Sequence, residues 1–174
     1  MTCGSAIKLS HSEGSNEYFL SSDGHRINSG SGQQLVTASP DKSKQTALWI
    51  IKEQNGVEPC ITGTKIPYGS KIRLTHLRTG ANLHSHNVRS PLSSQLEVSG
   101  YGENGQGDGG DDWIVNPVRG SDTHWKRDEE VVFQHVDTSH YLGCTEQAQF
   151  TRQNCGHNCP VMNHLVRFFS MLNM

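Results

Sequence analysis

A pentad near the start of the chain, Ile7-Lys-Leu9-Ser-His11, returns as Ile72-Arg-Leu74-Thr-His76 and, loosened, as Val131-Val-Phe133-Gln-His135. Each copy runs on through a leucine (Leu20, Leu83, Leu142) to a glutamine followed by a large apolar residue: Gln34-Leu35, Gln95-Leu96 and Gln149-Phe150. Two copies close on Trp49-Ile50-Ile51 and Trp113-Ile114-Val115, which lie 38 and 37 residues after the histidine of their pentads. A three-fold internal period constrains architecture before any single residue does, because each unit must bury its apolar face against its neighbours.

The pentads alternate apolar and polar residues, so Ile7, Leu9 and their counterparts line one face of a strand whose other face is wet. Between them lie short apolar stretches broken by Gly, Ser, Asn and Asp, with no helical spacing over ten positions. Several short strands per copy, closed around an axis, bury the inner faces and remove the sheet edges, which makes the chain an all-β barrel. The 174 residues form one domain, with repeat one at about 7–60, repeat two at about 72–120 and repeat three at about 131–173. Hydrophobic residues make up 33%, which suits a small barrel with long polar loops. A net charge of −2 gives no electrostatic footprint for nucleic acid. No apolar run approaches the roughly 20 residues of a membrane-spanning helix, so membrane insertion is not expected.

Histidines that recur in every copy serve the repeat. His11, His76 and His135, with Trp49 and Trp113, are therefore read as structural. His84-Ser85-His86 occurs once; residues two apart on a strand share a face, so the two imidazoles point together. Arg89, Asp111 and Asp112 are the polar groups that would line a shallow pocket or partner surface beside them. The run Gly105-Gln-Gly107-Asp-Gly-Gly110 matches the dinucleotide glycine fingerprint literally, but no buried strand precedes it and no helix follows, so it reads as part of a flexible loop. Glu103, Asp108, Asp111 and Asp112 lack EF-hand spacing, which leaves them as solvated loop acids. Gly-x-Ser-x-Gly, His-Glu-x-x-His and phosphate-loop signatures are all missing, and no enzymatic activity or cofactor is expected. No Asn-x-Ser/Thr sequon occurs.

The middle copy carries a family resemblance: Ile72-Arg-Leu-Thr-His-Leu-Arg-Thr-Gly-Ala-Asn-Leu-His-Ser-His86, Ser90-Pro91-Leu92-Ser93, Gln95-Leu-Glu-Val98 and Asp111-Asp112-Trp113 resemble the MIR domain. His124-Trp125-Lys-Arg-Asp-Glu-Glu-Val131 and Phe133-Gln-His-Val-Asp-Thr-Ser139 are similar to the join into the third repeat of the stromal cell-derived factor 2 group. The resemblance implies a β-trefoil of three MIR repeats. It further implies a non-enzymatic resident of the endoplasmic reticulum lumen that joins a J-domain co-chaperone and the lumenal Hsp70 to hold misfolded clients. MIR domains also occur in protein O-mannosyltransferases and in inositol trisphosphate and ryanodine receptors. A mannose-type glycan is therefore the alternative ligand, and inositol phosphate a weaker one, since only Arg73, Arg78 and Arg89 lie near one another.

Departures from the family pattern concentrate at the ends. Leu20-Ser-Ser-Asp23 replaces the Leu-His-Ser-His of the middle copy, and the third copy carries Leu165-Val-Arg-Phe-Phe169 without a closing Trp. The chain begins Met1-Thr2-Cys3 and ends Leu172-Asn173-Met174, showing neither a signal peptide nor a retrieval tetrapeptide, and is read as the mature domain. In an oxidising lumen Cys3 and Cys60 would staple the N-terminal arm to the barrel. Cys144, Cys155 and Cys159 leave one thiol over: Cys155 and Cys159 could close locally, or either could reach Cys144. Cys155, His157, Cys159 and His164 are soft ligands, but without a two-residue knuckle spacing they do not form a zinc site, and no metal is expected. Tyr101, Trp125, Phe168 and Phe169 are the apolar groups to examine for exposure on a partner surface.

Overall fold

The alternating pentads become strands in all three copies. In the first the strand is broken into β1 (Ala6–Ile7) and β2 (Ser10–Glu13), and β3 (Asn16–Arg26), β4 (Gln34–Ser39) and β5 (Trp49–Glu53) follow. The second copy is β6 (Lys71–His76), β7 (Asn82–Arg89), β8 (Leu96–Tyr101) and β9 (Trp113–Pro117), and the third β10 (Val131–His135), β11 (Tyr141–Gln149) and β12 (His164–Phe169). This computed structural model describes residues 1–13, 16–43, 45–93, 95–120, 122–149 and 164–169. Cys155, His157 and Cys159, with any bond they make, lie outside the described residues, as do the side chains of His164, Phe168 and Phe169. Among the described residues there is no α-helix, only 3₁₀ turns at Gln45–Ala47 and Gly109–Asp111.

The twelve strands make one sheet. Its barrel wall runs β1, β5, β6, β9, β10, each paired antiparallel to the next. The three remaining hairpins, β3–β4, β7–β8 and β11–β12, close a cap by pairing with one another: β4 with β8, β12 with β4, and β12 with β8. This is the β-trefoil that the family resemblance implies.

Register repeats with the sequence. Trp49 faces His76 across β5 and β6, and Trp113 faces His135 across β9 and β10. The alternate residues Trp49, Ile51, Leu74, Leu83, Trp113 and Val115 are fully buried in one core cluster. Burial of each large apolar side chain contributes roughly 1.5–3 kcal/mol, which offsets the ordering of many short strands. Arg73 reinforces the wall: its guanidinium meets the Glu53 carboxylate at 3.0 Å and donates to the Gly105 carbonyl at 2.9 Å. Cys3 and Cys60 are disulfide-bonded with Cα atoms 6.3 Å apart, tying the N-terminal arm to the β5–β6 connection. Cys144 is buried in β11.

The broken opening strand follows from topology. In β6, Arg73 and Leu74 pair with Lys52 and Ile51 of β5. The equivalent Lys8 and Leu9 have no such neighbour among the described residues.

Candidate functional site

The recurrent histidines separate into two kinds. His76 and His135 are fully buried at the ends of β6 and β10. The Nε2–H of His76 donates to the Thr46 carbonyl at 3.0 Å, and that of His135 to the Gly110 carbonyl at 2.9 Å. Their Nδ1 atoms accept the backbone N–H three residues on, from Thr79 and Thr138, both at 3.3 Å. Burial lowers both pKa values below the ordinary imidazole range, outweighing the carbonyls of Thr46 and Gly110 and the nearby carboxylates, which act in the opposite direction. Each ring packs on the Trp of the preceding copy with centroids 4.9 Å apart. His11 differs: it is exposed. Position 14 is Gly where the other copies have Thr. That His-x-x-Thr pattern is a sequence signal distinguishing the two kinds.

The second-repeat cluster is built on the cap. His84, 3% exposed, stands on β7 with its Nδ1 2.9 Å from Asp111 Oδ1; a carboxylate only accepts, so the shared proton lies on the imidazole. Asp111 is wholly buried, and its Oδ2 accepts from the Asn82 amide and the Asp108 backbone N–H, each at 3.0 Å. Thr75 in turn donates to Asn82 Oδ1 at 2.7 Å. The glycine-rich run expected to be a flexible loop is instead a built turn. Asp108 caps the 3₁₀ turn in a reciprocal box with Asp111, and Gly110 passes so close that a Cβ would lie 2.4 Å from His84 Cε1. Glycine is needed there for space rather than for mobility.

His84 and His86 come together as their spacing implies, with ring centroids 5.1 Å apart in a T shape. Tyr101, 39% exposed, covers His84 at 4.7 Å. His86 Nε2 is buried without a hydrogen bond, 3.6 Å from Glu97 Oε1. Burial, then the neighbouring His84, lower the His86 pKa. Glu97 is 1% exposed and receives the Ser31 hydroxyl and backbone N–H from repeat one. Glu97 is not singled out by pattern, and of the acids read as solvated loop groups Asp111 and Asp112 are instead buried, because each accepts hydrogen bonds that replace water.

The other expected members lie apart. Asp112, although next to Asp111, turns away to accept the Asn55 N–H at 2.7 Å, and burial raises its carboxyl pKa. Arg89 is exposed at the far end of β7. Trp125 is buried in the core cluster. His84, Asp108 and Asp111 place ligand atoms within 4.8 Å of one another, but Asp111 is already engaged by Asn82, Asp108 and His84. The residues therefore make a closed hydrogen-bond network rather than an open metal site. Among the described residues no Ser, Thr or Cys is hydrogen-bonded to His84, so the His–Asp pair orients no nucleophile. What the cluster does present is His86, Tyr101 and Asp108 at the surface over a buried acidic pair.

Residues 1–147 match the MIR domain family. The chain is 42% identical over 155 residues to a stromal cell-derived factor 2-like protein of Dictyostelium discoideum, a match covering 86% of this chain and 70% of that protein. The curated relatives it matches are spanned over 63% to 70% of their own length. Among solved structures, the SDF2-like protein of Arabidopsis thaliana superposes with a TM-score of 0.84 at 37% identity, covering 97% of this chain and 87% of that one. The Pmt1–Pmt2 protein O-mannosyltransferase complex of S. cerevisiae bound to its sugar donor superposes with a TM-score of 0.80 at 27% identity, covering 99% of this chain and 24% of that one. The chain belongs to the MIR-domain family, within its stromal cell-derived factor 2 group.

Proposed function

We propose that this chain is a non-enzymatic accessory of the chaperone machinery of the endoplasmic reticulum lumen. It joins a J-domain co-chaperone and the lumenal Hsp70 and helps to hold misfolded clients. Membership of the stromal cell-derived factor 2 group carries this reading. The Cys3–Cys60 disulfide supports an oxidising compartment, since such bonds are rare in reducing ones. His84, held by Asp111 with no nucleophile hydrogen-bonded to it among the described residues, supports a binding rather than a catalytic role. The test is light scattering after size exclusion of the oxidised chain with a lumenal J-domain co-chaperone. A co-eluting complex is expected; none at tens of micromolar, roughly the −6 to −7 kcal/mol level, contradicts the reading.

A second reading is a mannose-type glycan site at His86, Tyr101 and Asp108, favoured by the likeness to the O-mannosyltransferase complex and by the exposure of Tyr101 and Asp108 beside the histidines. Saturation-transfer NMR with mannosides tests it, and loss of signal in His86→Ala is its expected signature. Inositol phosphate is less well supported, because the Arg73 guanidinium is engaged by Glu53 and Gly105.

A further inference from the structure

Two Asn-Gly steps occur in the chain, Asn55-Gly56 in the turn after β5 and Asn104-Gly105 in the turn after β8. An asparagine side-chain amide and the backbone nitrogen of the next residue can close a five-membered ring. Glycine hinders that attack least, because it has no Cβ and moves freely between backbone conformations. By residue type the two steps are alike, and their surroundings separate them. The attacking atom at position 105 is engaged: Gly105 N–H donates to the Gly80 carbonyl at 2.7 Å. The Gly105 carbonyl accepts from the Arg73 guanidinium at 2.9 Å and from the Asn82 amide at 3.3 Å. Asn104 packs on Gly80 so closely that a Cβ there would lie 3.4 Å from the Asn104 nitrogen and Cα. An amide held in this way gives up its proton only when the turn opens, and the ring cannot close until that proton has left.

The turn at Asn55 has no such restraint on its reactive half. Among the described residues Gly56 N–H makes no hydrogen bond. Gly56 is exposed with φ 75°, and a Cβ built on it would meet nothing within 4 Å. The preceding half of the turn is pinned, with Asn55 N–H donating to Asp112 Oδ1 at 2.7 Å. We propose that Asn55 is a site of spontaneous deamidation and that the fold protects Asn104 from the same reaction. Solvent hydroxide takes the Gly56 amide proton, the nitrogen attacks Asn55 Cγ, and the bond from Cγ to the side-chain nitrogen breaks. Ammonia leaves with a proton from water, which regenerates the hydroxide. A second water opens the succinimide. Cleavage at Cγ leaves an aspartyl residue at position 55, whereas cleavage at the main-chain carbonyl leaves an isoaspartyl residue, with one more methylene in the backbone. Either product puts a negative charge into the turn that binds Asp112, a carboxyl that burial already makes harder to ionise.

Both sites are followed in one sample. The oxidised chain of residues 1–174 is held at mildly alkaline pH, and aliquots are reduced, digested with trypsin and weighed by mass spectrometry. Asn55 falls in the peptide 53–65 and Asn104 in the peptide 90–119, whose other asparagine, Asn116, precedes a proline with no amide proton to lose. In the folded chain Asn55 is expected to turn from amide to acid several-fold faster than Asn104, and in guanidinium chloride the two rates should converge. An isoaspartyl carboxyl methyltransferase should label the aged parent chain more strongly than an aged Asn55→Gln variant. Side-chain exposure alone ranks the sites the other way, since Asn104 is exposed and Asn55 half-buried. Equal rates in the folded chain, faster loss at Asn104, no loss at either site, or a gap that persists in denaturant would each overturn the proposal.

Discussion

Trp113 at the start of β9 and His135 at the end of β10 stack with centroids 4.9 Å apart, so the last strand of one repeat is locked to the first strand of the next. The indole N–H reaches back to the Leu83 carbonyl and the imidazole Nε2–H to the Gly110 carbonyl, both at 2.9 Å. One aromatic pair thus joins the barrel wall, the cap hairpin and the turn beneath His84.

Truncating that pair should be costly. Trp113→Ala is expected to lose about 3–5 kcal/mol by urea unfolding, the range for deleting a large buried aromatic. Trp113→Phe keeps most of the volume but strands the Leu83 carbonyl, and should cost about 1–3 kcal/mol. Equal losses would mean that the N–H contributes little.

Acid should weaken the fold near pH 6. The pKa values of His76, His135 and His86 are all lowered in the folded state, so the unfolded chain binds more protons. Their contribution is complete above the unfolded value of about 6.5 and is lost as pH falls through the depressed folded values. The raised pKa of Asp112 has the opposite sign, and its contribution grows only as that carboxyl protonates in more acidic solution. The urea midpoint should fall between pH 7.5 and pH 5.5, and His135→Gln should flatten that slope even if the variant is less stable. A pH-independent midpoint would contradict the burial argument.

Gly110→Ala should disturb the second-repeat cluster specifically. The added Cβ would stand 2.4 Å from His84 Cε1 and 2.7 Å from the Ser85 carbonyl. A cost of about 1–3 kcal/mol, the usual range for overpacking, is expected together with displaced His84 ring resonances. Unshifted resonances would show that the turn yields more easily than its contacts imply.

Reduction should cost more than any surface change. The Cys3–Cys60 bond closes a sequence separation of 57, worth about 4 kcal/mol in the chain-entropy treatment. Cys3→Ser with Cys60→Ser should lower the unfolding midpoint, and reductant should then have a smaller effect on that variant than on the parent chain.

The three-fold all-β barrel was legible because its signals are periodic: three pentads and two Trp-Ile pairs recur at fixed spacing, and that spacing becomes the register of β5 with β6 and β9 with β10. The adjacency of His84 and His86 was legible for the same reason, as a property of one strand. The embrace of His84 by Asp111 was not, because it depends on a turn whose glycines were equally compatible with a mobile loop. Asp111 and Asp112 are neighbours in sequence yet face different partners, and pattern alone gave no reason to separate them. Recurrence groups His11 with His76 and His135 as structural, and its exposure corrects that reading: Gly14 stands where the other copies have the Thr that meets the histidine.

The most direct measurement of the proposed role is turbidity of a reduced, aggregation-prone lumenal client incubated with a J-domain co-chaperone, Hsp70 and ATP, with and without the oxidised chain. Lower turbidity when the chain is present, undiminished by excess mannoside, is the predicted result. Turbidity unchanged by the chain, or suppression abolished by mannoside, would contradict the chaperone-accessory account, the latter in favour of glycan binding.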